Sequence, residues 1–192
     1  PTGKKVAVIG CGPAGITAAK DLARLGYAVT ILEARDEVGG MMRWAIPSFR
    51  LPREVVQRES MEALRQVASV RTGVRLGVDV TLSDLLGEGF SAVLLATGCW
   101  SQASLGLPGD GDGENGEDTL RLLETGLVSS GSPARRNVVV VGATREGFDV
   151  ASLACRAGAR SVTLVTHLDE TAFPVDPDVL RRVSADGVRI IQ

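Results

Sequence analysis

The chain has 192 residues, a formal net charge of −2 and 44% hydrophobic side chains, enough apolar material for one large core or two small ones. A charge this near neutrality excludes nucleic acid and an anionic membrane surface as expected partners, because both are held mainly by clustered Lys and Arg. No apolar run reaches the length of a membrane span and no signal-peptide pattern precedes the first apolar segment, so the expected compartment is the cytoplasm.

Residues 6–15 read VAVIGCGPAG, and the periodic segment after them leads to AVTILE, ending at Glu33. The pattern predicts a strand at about 5–9, a helix near 14–25 and a second strand at 28–33. Gly10 allows a sharp turn at the strand end, Gly12 removes a side chain where a backbone would approach a pyrophosphate, and Gly15 lets helix and strand pack closely. The helix start then offers N–H groups and a positive dipole end to phosphate, and Glu33 stands where a carboxylate accepts from ribose hydroxyls. A glycine turn of this spacing alone is weak. The strand, helix and acid around it make it a dinucleotide-binding βαβ unit.

Further along, Pro52 suits the first turn of a helix near 53–68, and a short strand is expected at 74–76. Residues 92–100, AVLLATGCW, predict a buried parallel strand at 91–96 running into Ala96, Thr97 and Gly98, small residues that let a dinucleotide pass close. GDGDGENGED at 109–118 reads as a surface connection, followed by a helix near 117–128, and GSP at 131–133 as the crossover into the second half. Residues 137–166 then repeat strand, tight turn and helix (strands 137–141 and 161–165, helix 146–157), with Gly142 in the place of Gly10. A helix at 176–185, opened by Pro177, and a strand at 188–191 close the chain. Cys11, Cys99 and Cys155 lie far apart without a CxxC pair and read as reduced thiols; His167 is the only histidine, so no metal site is expected.

These stretches, above all GG-x-x-x-x-x-IP-x-FRLP at 39–52, resemble the FAD-dependent NAD(P)H oxidoreductases typified by the small (beta) subunit of bacterial glutamate synthase. The N-terminal flavin region of dihydropyrimidine dehydrogenase is similar, and the resemblance covers essentially the whole chain. It implies an α/β, Rossmann-like FAD/NAD(P)-binding fold in the glutathione-reductase-type two-dinucleotide arrangement, lacking the C-terminal part of the flavin domain. On that reading residues 1–130 are the flavin domain and 131–192 a partial NAD(P) domain. Gly10, Gly12, Pro13, Ala14 and Gly15 would hold the FAD pyrophosphate, and Glu33 the adenosine ribose, with Ala34 and Arg35 beside the adenine. Gly40 and Met41 would lie toward the flavin, and Arg43 would face phosphate or the charge of reduced flavin unless it is a solvated surface arginine. Val80 would present backbone to the adenine unless it is a plain core valine, and Ala96, Thr97 and Gly98 would line the dinucleotide.

Hydride transfer between nicotinamide and flavin requires orientation rather than an acid–base pair, so no catalytic side chain is nominated. In the second turn Gly142, Thr144 and Arg145 are the candidate contacts, but Thr144 and Glu146 depart from the glycine-rich turn of the family, and His167, Asp169 and Glu170 replace its paired arginines. NAD(P)H binding there is therefore doubtful, with Arg145 as partial compensation. The resemblance further implies a piece of a larger flavoprotein that hands electrons to an iron–sulfur domain or subunit, with a homodimer as one way to cover an exposed sheet. The alternative is a dinucleotide-binding or structural module without turnover.

Overall fold

The computed structural model describes residues 1–101, 106, 119–125 and 136–192. The chain divides into two compact units, one of Pro1–Trp44 with Ser48–Cys99 and the other of Ala45–Pro47 with Trp100–Gln192.

The first unit runs β1 (Lys5–Ile9), α1 (Pro13–Arg24), β2 (Ala28–Leu32), α2 (Met41–Trp44), α3 (Arg53–Ala63), β3 (Ser69–Arg71), α4 (Leu82–Gly87) and β4 (Phe90–Leu95). Its strands form one parallel sheet in the order β3-β2-β1-β4. Alternation along β1 sends Val8 to one face and Ala7 and Ile9 to the other, and both faces are covered. Val8, Val29 and Ile31 pack with Ile16, Ala19 and Leu64, whereas Ala7, Ile9 and Leu32 pack with Leu85 and Phe90. The chain leaves β1 toward β2 and β3 and returns on the other side as β4. The strand order thus reverses between β1 and β4, and the carboxyl ends of those strands form the crevice where open α/β sheets bind ligands.

Four local expectations are corrected. The parallel strand expected at 91–96 forms but is not buried: β4 is the edge of its sheet, and Leu94 and Leu95 are exposed. The strand expected at 74–76 is displaced: Ser69–Arg71 pairs with Thr30, Ile31 and Leu32 instead, and 74–76 contributes a Val74 N–H bond to the Glu33 carbonyl (2.9 Å) and a lone Leu76–Val80 bridge. The helix expected over 53–68 ends at Ala63. Two short helices were not expected, α2 and α4. The second had a legible start, because Thr81 and Asp84 form a reciprocal capping box.

The second unit contains α5 (Thr119–Thr125), β5 (Asn137–Val141), α6 (Arg145–Arg156), β6 (Ser161–Val165), a 3-10 turn at Glu170–Ala172, α7 (Pro177–Ala185) and β7 (Arg189–Ile191). Its parallel sheet has the order β5-β6-β7. Phe148, Val150, Ala151 and Ala154 of α6 bury against Val140, Leu164 and Val183, with Phe173 edge-on to Phe148 at 5.5 Å. The acidic glycine-rich stretch at 109–118, the crossover at 131–133 and the ends of the helix expected over 117–128 lie outside the described residues.

Candidate functional site

The first glycine turn is built by close approach. Gly10 has φ +102, and a Cβ there would run into the Ala96 carbonyl oxygen, with the Thr97 Cα at 3.2 Å. Its N–H donates to the Leu32 carbonyl (2.8 Å), and the Ala96 N–H donates to the Ile9 carbonyl (2.8 Å), locking β1, β2 and β4 together at the crevice. A Cβ on Gly15 would collide with the Gly10 carbonyl oxygen, which is the close helix–strand packing expected of it.

Gly12 is different. Its backbone is extended (φ −83, ψ −174), a conformation open to any residue, and an added Cβ would meet only the Gly40 Cα at 3.7 Å. Neither strain nor packing within the protein calls for glycine there. Gly12 is also the N-cap of α1 and supplies no side-chain bond, and Pro13 follows at the first helical position. The first-turn N–H groups of Ala14 and Gly15 therefore have no side-chain cap, and the position a Cβ would take at Gly12 is open but for the Gly40 Cα. Uncapped helix-start donors beside a glycine without close neighbours suit a phosphate group in charge.

Glu33 ends β2 beside this turn and is only 8% exposed. Its Oε2 accepts from the Cys11 N–H (2.6 Å) and its Oε1 from the Arg35 N–H (2.9 Å). Two backbone donors leave acceptor capacity on both oxygens for hydroxyl groups. Cys11 is buried in the turn, and burial, with Glu33 adding to it, pushes its thiol up to about 12. That makes it a packed filler rather than a thiolate. Gly40 (φ +54) packs so tightly on the turn that a Cβ would sit 2.6 Å from the Gly12 Cα, and the Gly39 N–H donates to the Cys11 carbonyl (2.8 Å).

The structure thus brings Gly10, Gly12, Pro13, Ala14, Gly15, Glu33, Gly40, Ala96 and Thr97 to one end of the sheet. Met41 opens α2 directly after Gly40. Val80 accepts from the Gly77 N–H (2.7 Å) and, like Val74, is partly buried against the cluster of Ala7, Ile9 and Leu32. Arg43 is neither solvated nor fully open to a ligand. Its Nε and Nη2 donate to Glu37 (2.7 and 2.6 Å), and its side chain is 11% exposed. Its guanidinium and that of Arg35 each lie 5.1 Å from the Trp44 ring centre. Nothing in the spacing of Glu37 and Arg43 across a two-glycine loop announced this pair.

The second turn copies the first with one change. Gly142 has φ +99 and its N–H donates to the Val165 carbonyl (2.8 Å), as Gly10 does to Leu32. A Cβ on Gly147 would come within 2.6 Å of the Gly142 carbonyl oxygen, as at Gly15. Thr144 occupies the N-cap with nearly the torsions of Gly12 (φ −81, ψ 165), and its hydroxyl accepts from the Gly147 N–H (3.1 Å). One helix-start donor is thereby satisfied, and Glu146 places a negative charge in the same turn. Arg145 stands 4.0 Å from Asp176. By register, the residue matching Glu33 is Thr166, buried, with its hydroxyl accepting from the Leu168 N–H (3.1 Å). That equivalence was missed in the sequence, where attention fell on His167, Asp169 and Glu170.

Among the described residues no cluster of His, Cys, Asp and Glu could hold a metal ion, the three cysteines are free, and no helix is long and apolar enough to cross a membrane.

Comparison with known proteins agrees with this geometry. The profile of the pyridine nucleotide-disulphide oxidoreductase family matches residues 4–191. The chain is 38% identical over 190 residues to the NADP(+)-dependent formate dehydrogenase subunit beta of Moorella thermoacetica, covering 97% of this chain and 27% of that protein. It is 32% identical to the NAD-dependent dihydropyrimidine dehydrogenase subunit PreT of Salmonella typhimurium, covering 97% and 45%. With the glutamate synthase (NADPH) small chain of Bacillus subtilis the identity is 34%, covering 84% and 34%. The chain therefore spans less than half the length of these relatives. Among solved structures, FprA of Mycobacterium tuberculosis in complex with NADPH superposes with a TM-score of 0.80 at 18% identity, covering 95% of this chain and 47% of that one, a likeness of fold. The resemblance to the glutamate synthase small subunit and the α/β dinucleotide-binding fold expected from the motifs are both borne out. With the profile spanning nearly its whole length and two glycine turns at equivalent strand ends, the chain belongs to the pyridine nucleotide-disulphide oxidoreductase family.

Proposed function

We propose that the chain is the dinucleotide-binding part of an oxidoreductase that moves electrons from NAD(P)H through FAD to an iron–sulfur centre or partner subunit. The flavin role goes to the first unit and the nicotinamide role to the second. The observation that carries this is Gly12: a glycine that the fold itself does not require, beside uncapped helix-start N–H groups and an acid at the end of β2. When bound, FAD supplies the redox chemistry, taking a hydride and releasing electrons onward. The chain's own residues bind and orient. Ala14 and Gly15 N–H groups meet the pyrophosphate, Glu33 accepts from the ribose hydroxyls, and Ala96 and Thr97 close the crevice beside Gly10. The relatives are named as subunits, one of them the NADPH-Fe(3+) oxidoreductase subunit beta of Geobacter sulfurreducens, which supports a role inside a larger electron-transfer assembly.

The test is to purify the protein in its natural polypeptide, release bound flavin by denaturation and quantify it, then follow dye reduction with NADH and with NADPH. Absence of flavin, with none taken up on addition of FAD, would reject the reading. The Thr144 cap favours one second reading, a module that holds one dinucleotide without turnover. Stoichiometric FAD with no reduction by either nicotinamide would select it.

A further inference from the structure

We propose that the Glu37–Arg43 ion pair is a brace that holds the two-glycine loop against Gly12 and so sets the shape of the phosphate cradle, making both side chains positioning residues. The inference rests on the flavin reading of the first turn and adds a role to residues that do not form the cradle itself.

The two glycines meet the glycine turn at two points, while Val38 and Met42 on either side of them pack into the core that includes Cys11 and Ile16. The Gly39 N–H bonds the Cys11 carbonyl (2.8 Å), and Gly40 abuts Gly12. Gly39 and Gly40 both have positive φ, and glycine is the residue least able to hold a conformation by itself. The α2 helix that follows is a single turn of four residues, too short to be stable from its own hydrogen bonds. Side chains must help fix the loop: Val38 and Met42 anchor its two ends in the core, Gly39 sits close on Val56, and a polar cluster spans the glycines between them. Arg43, on α2, reaches back across the glycines and grips Glu37 with two parallel bonds of 2.7 and 2.6 Å. Trp44 lies against both the Arg43 guanidinium and that of Arg35, which is tied to Glu33 through its N–H. A Cβ on Gly39 would stand 3.0 Å from the Arg43 Cβ, so the brace and the glycines are in direct register. The fork matters: a bidentate pair fixes direction as well as distance, which a lysine at position 43 would not. If the pair opens, the glycines between the Val38 and Met42 anchors lose their polar clamp, and the contact of Gly40 with Gly12 and Pro13 loosens.

The experiment uses the purified full-length protein with FAD removed. Variants Glu37→Gln, Arg43→Gln, Arg43→Lys and the exchanged double variant Glu37→Arg with Arg43→Glu are titrated with FAD, and each FAD-free protein is melted. We expect both Gln variants to weaken FAD about tenfold, the scale of one charge-assisted pair. Arg43→Lys should be intermediate and the exchanged pair should recover most of the affinity. The FAD-free proteins should melt within about 2 °C of one another, since the Glu37 end of the pair is 42% exposed and screened by solvent. Wild-type FAD affinity in the single variants would overturn the proposal, as would affinity and melting falling together without rescue by the exchange. If the wild-type protein takes up no FAD, the flavin reading fails, and hydrogen exchange of the 39–44 amides decides the brace on its own. Faster exchange in both Gln variants, restored in the exchanged pair, supports it; unchanged exchange overturns it.

Discussion

Substitution of Gly12 by alanine separates what the fold needs from what a ligand needs. The extended backbone at Gly12 suits alanine, and the new Cβ finds only the Gly40 Cα at an ordinary 3.7 Å. Replacing glycine at a compatible torsion stabilises by about 0.4–1 kcal/mol through the unfolded chain. Alanine is a poorer N-cap than glycine by roughly a similar amount. The two terms nearly cancel, so the FAD-free protein should unfold within about 0.5 kcal/mol of wild type. The ligand has no such freedom. On the proposed function the added methyl would stand on the open side of the turn where the pyrophosphate approaches, so at least one phosphate bond should lengthen or be lost. A hydrogen bond to a charged oxygen is worth about 1.5–3 kcal/mol, or roughly a ten- to hundredfold loss in affinity. Gly15→Ala is the control. Its Cβ collides with the Gly10 carbonyl, so it should cost about 1–3 kcal/mol of stability before any ligand is added. Denaturant unfolding and FAD fluorescence titration measure both quantities. Undiminished FAD affinity in Gly12→Ala, or a stability loss as large as that of Gly15→Ala, would refute the reasoning.

Other outcomes follow from the same geometry. Thr144→Gly removes a cap, at a cost of roughly a few tenths of a kcal/mol, and frees the Gly147 N–H, so NAD(P)H affinity should rise in calorimetric titration. With Thr166 at the Glu33 position and Asp169 and Glu170 beyond β6, NADH should bind at least as tightly as NADPH; a strong NADPH preference would contradict this. Cys11, with its thiol pushed up to about 12, should resist iodoacetamide at pH 8 while exposed Cys99 reacts, as read by peptide mass analysis. The hydrogen bond from Arg43 holds the Glu37 carboxyl below its ordinary value of 4.5. Its stabilising contribution is present above that value and fades as pH falls through the lowered folded-state value. Acid titration of stability should therefore lose part of its slope in Glu37→Gln.

The parts of this fold legible in the sequence are those where one physical demand acts on adjacent residues. The β1 run alternates Val8 with Ala7 and Ile9 because both sheet faces are buried, and Gly10 and Gly15 are read from the spacing that any helix packed on a strand demands. The capping box at Thr81 and Asp84 was equally local and was overlooked. The strand at β3 differs from the expected 74–76 because its pairing with β2 is decided by distant partners, Thr30 to Leu32, that the local residues do not reveal. Thr166 was missed for a related reason: its equivalence to Glu33 lies in a register, Gly142 N–H to Val165 carbonyl, that no residue type advertises. The Glu37–Arg43 pair depends on a loop folding back across two glycines, whose torsions the sequence permits without selecting.

The two turns share their strand ends, helix starts and tight glycines, yet differ at the one position that the protein's own packing leaves free. At Gly12 that freedom is kept and the helix start has no side-chain cap; at Thr144 the same position carries a hydroxyl that already satisfies Gly147. On the proposed function a dinucleotide at the first turn would gain hydrogen bonds with helix-start groups that have no side-chain cap. At the second it must exchange one existing bond for another and approach Glu146, so its net gain is smaller. The acid at the end of β2 and the hydroxyl at the end of β6 repeat the contrast, since a carboxylate holds ribose hydroxyls more strongly than a neutral oxygen already in use. Under the proposed function this inequality has a use. The flavin must stay through many turnovers, whereas the nicotinamide must arrive and leave in each one, and uniform tight binding of both would slow the release that turnover requires.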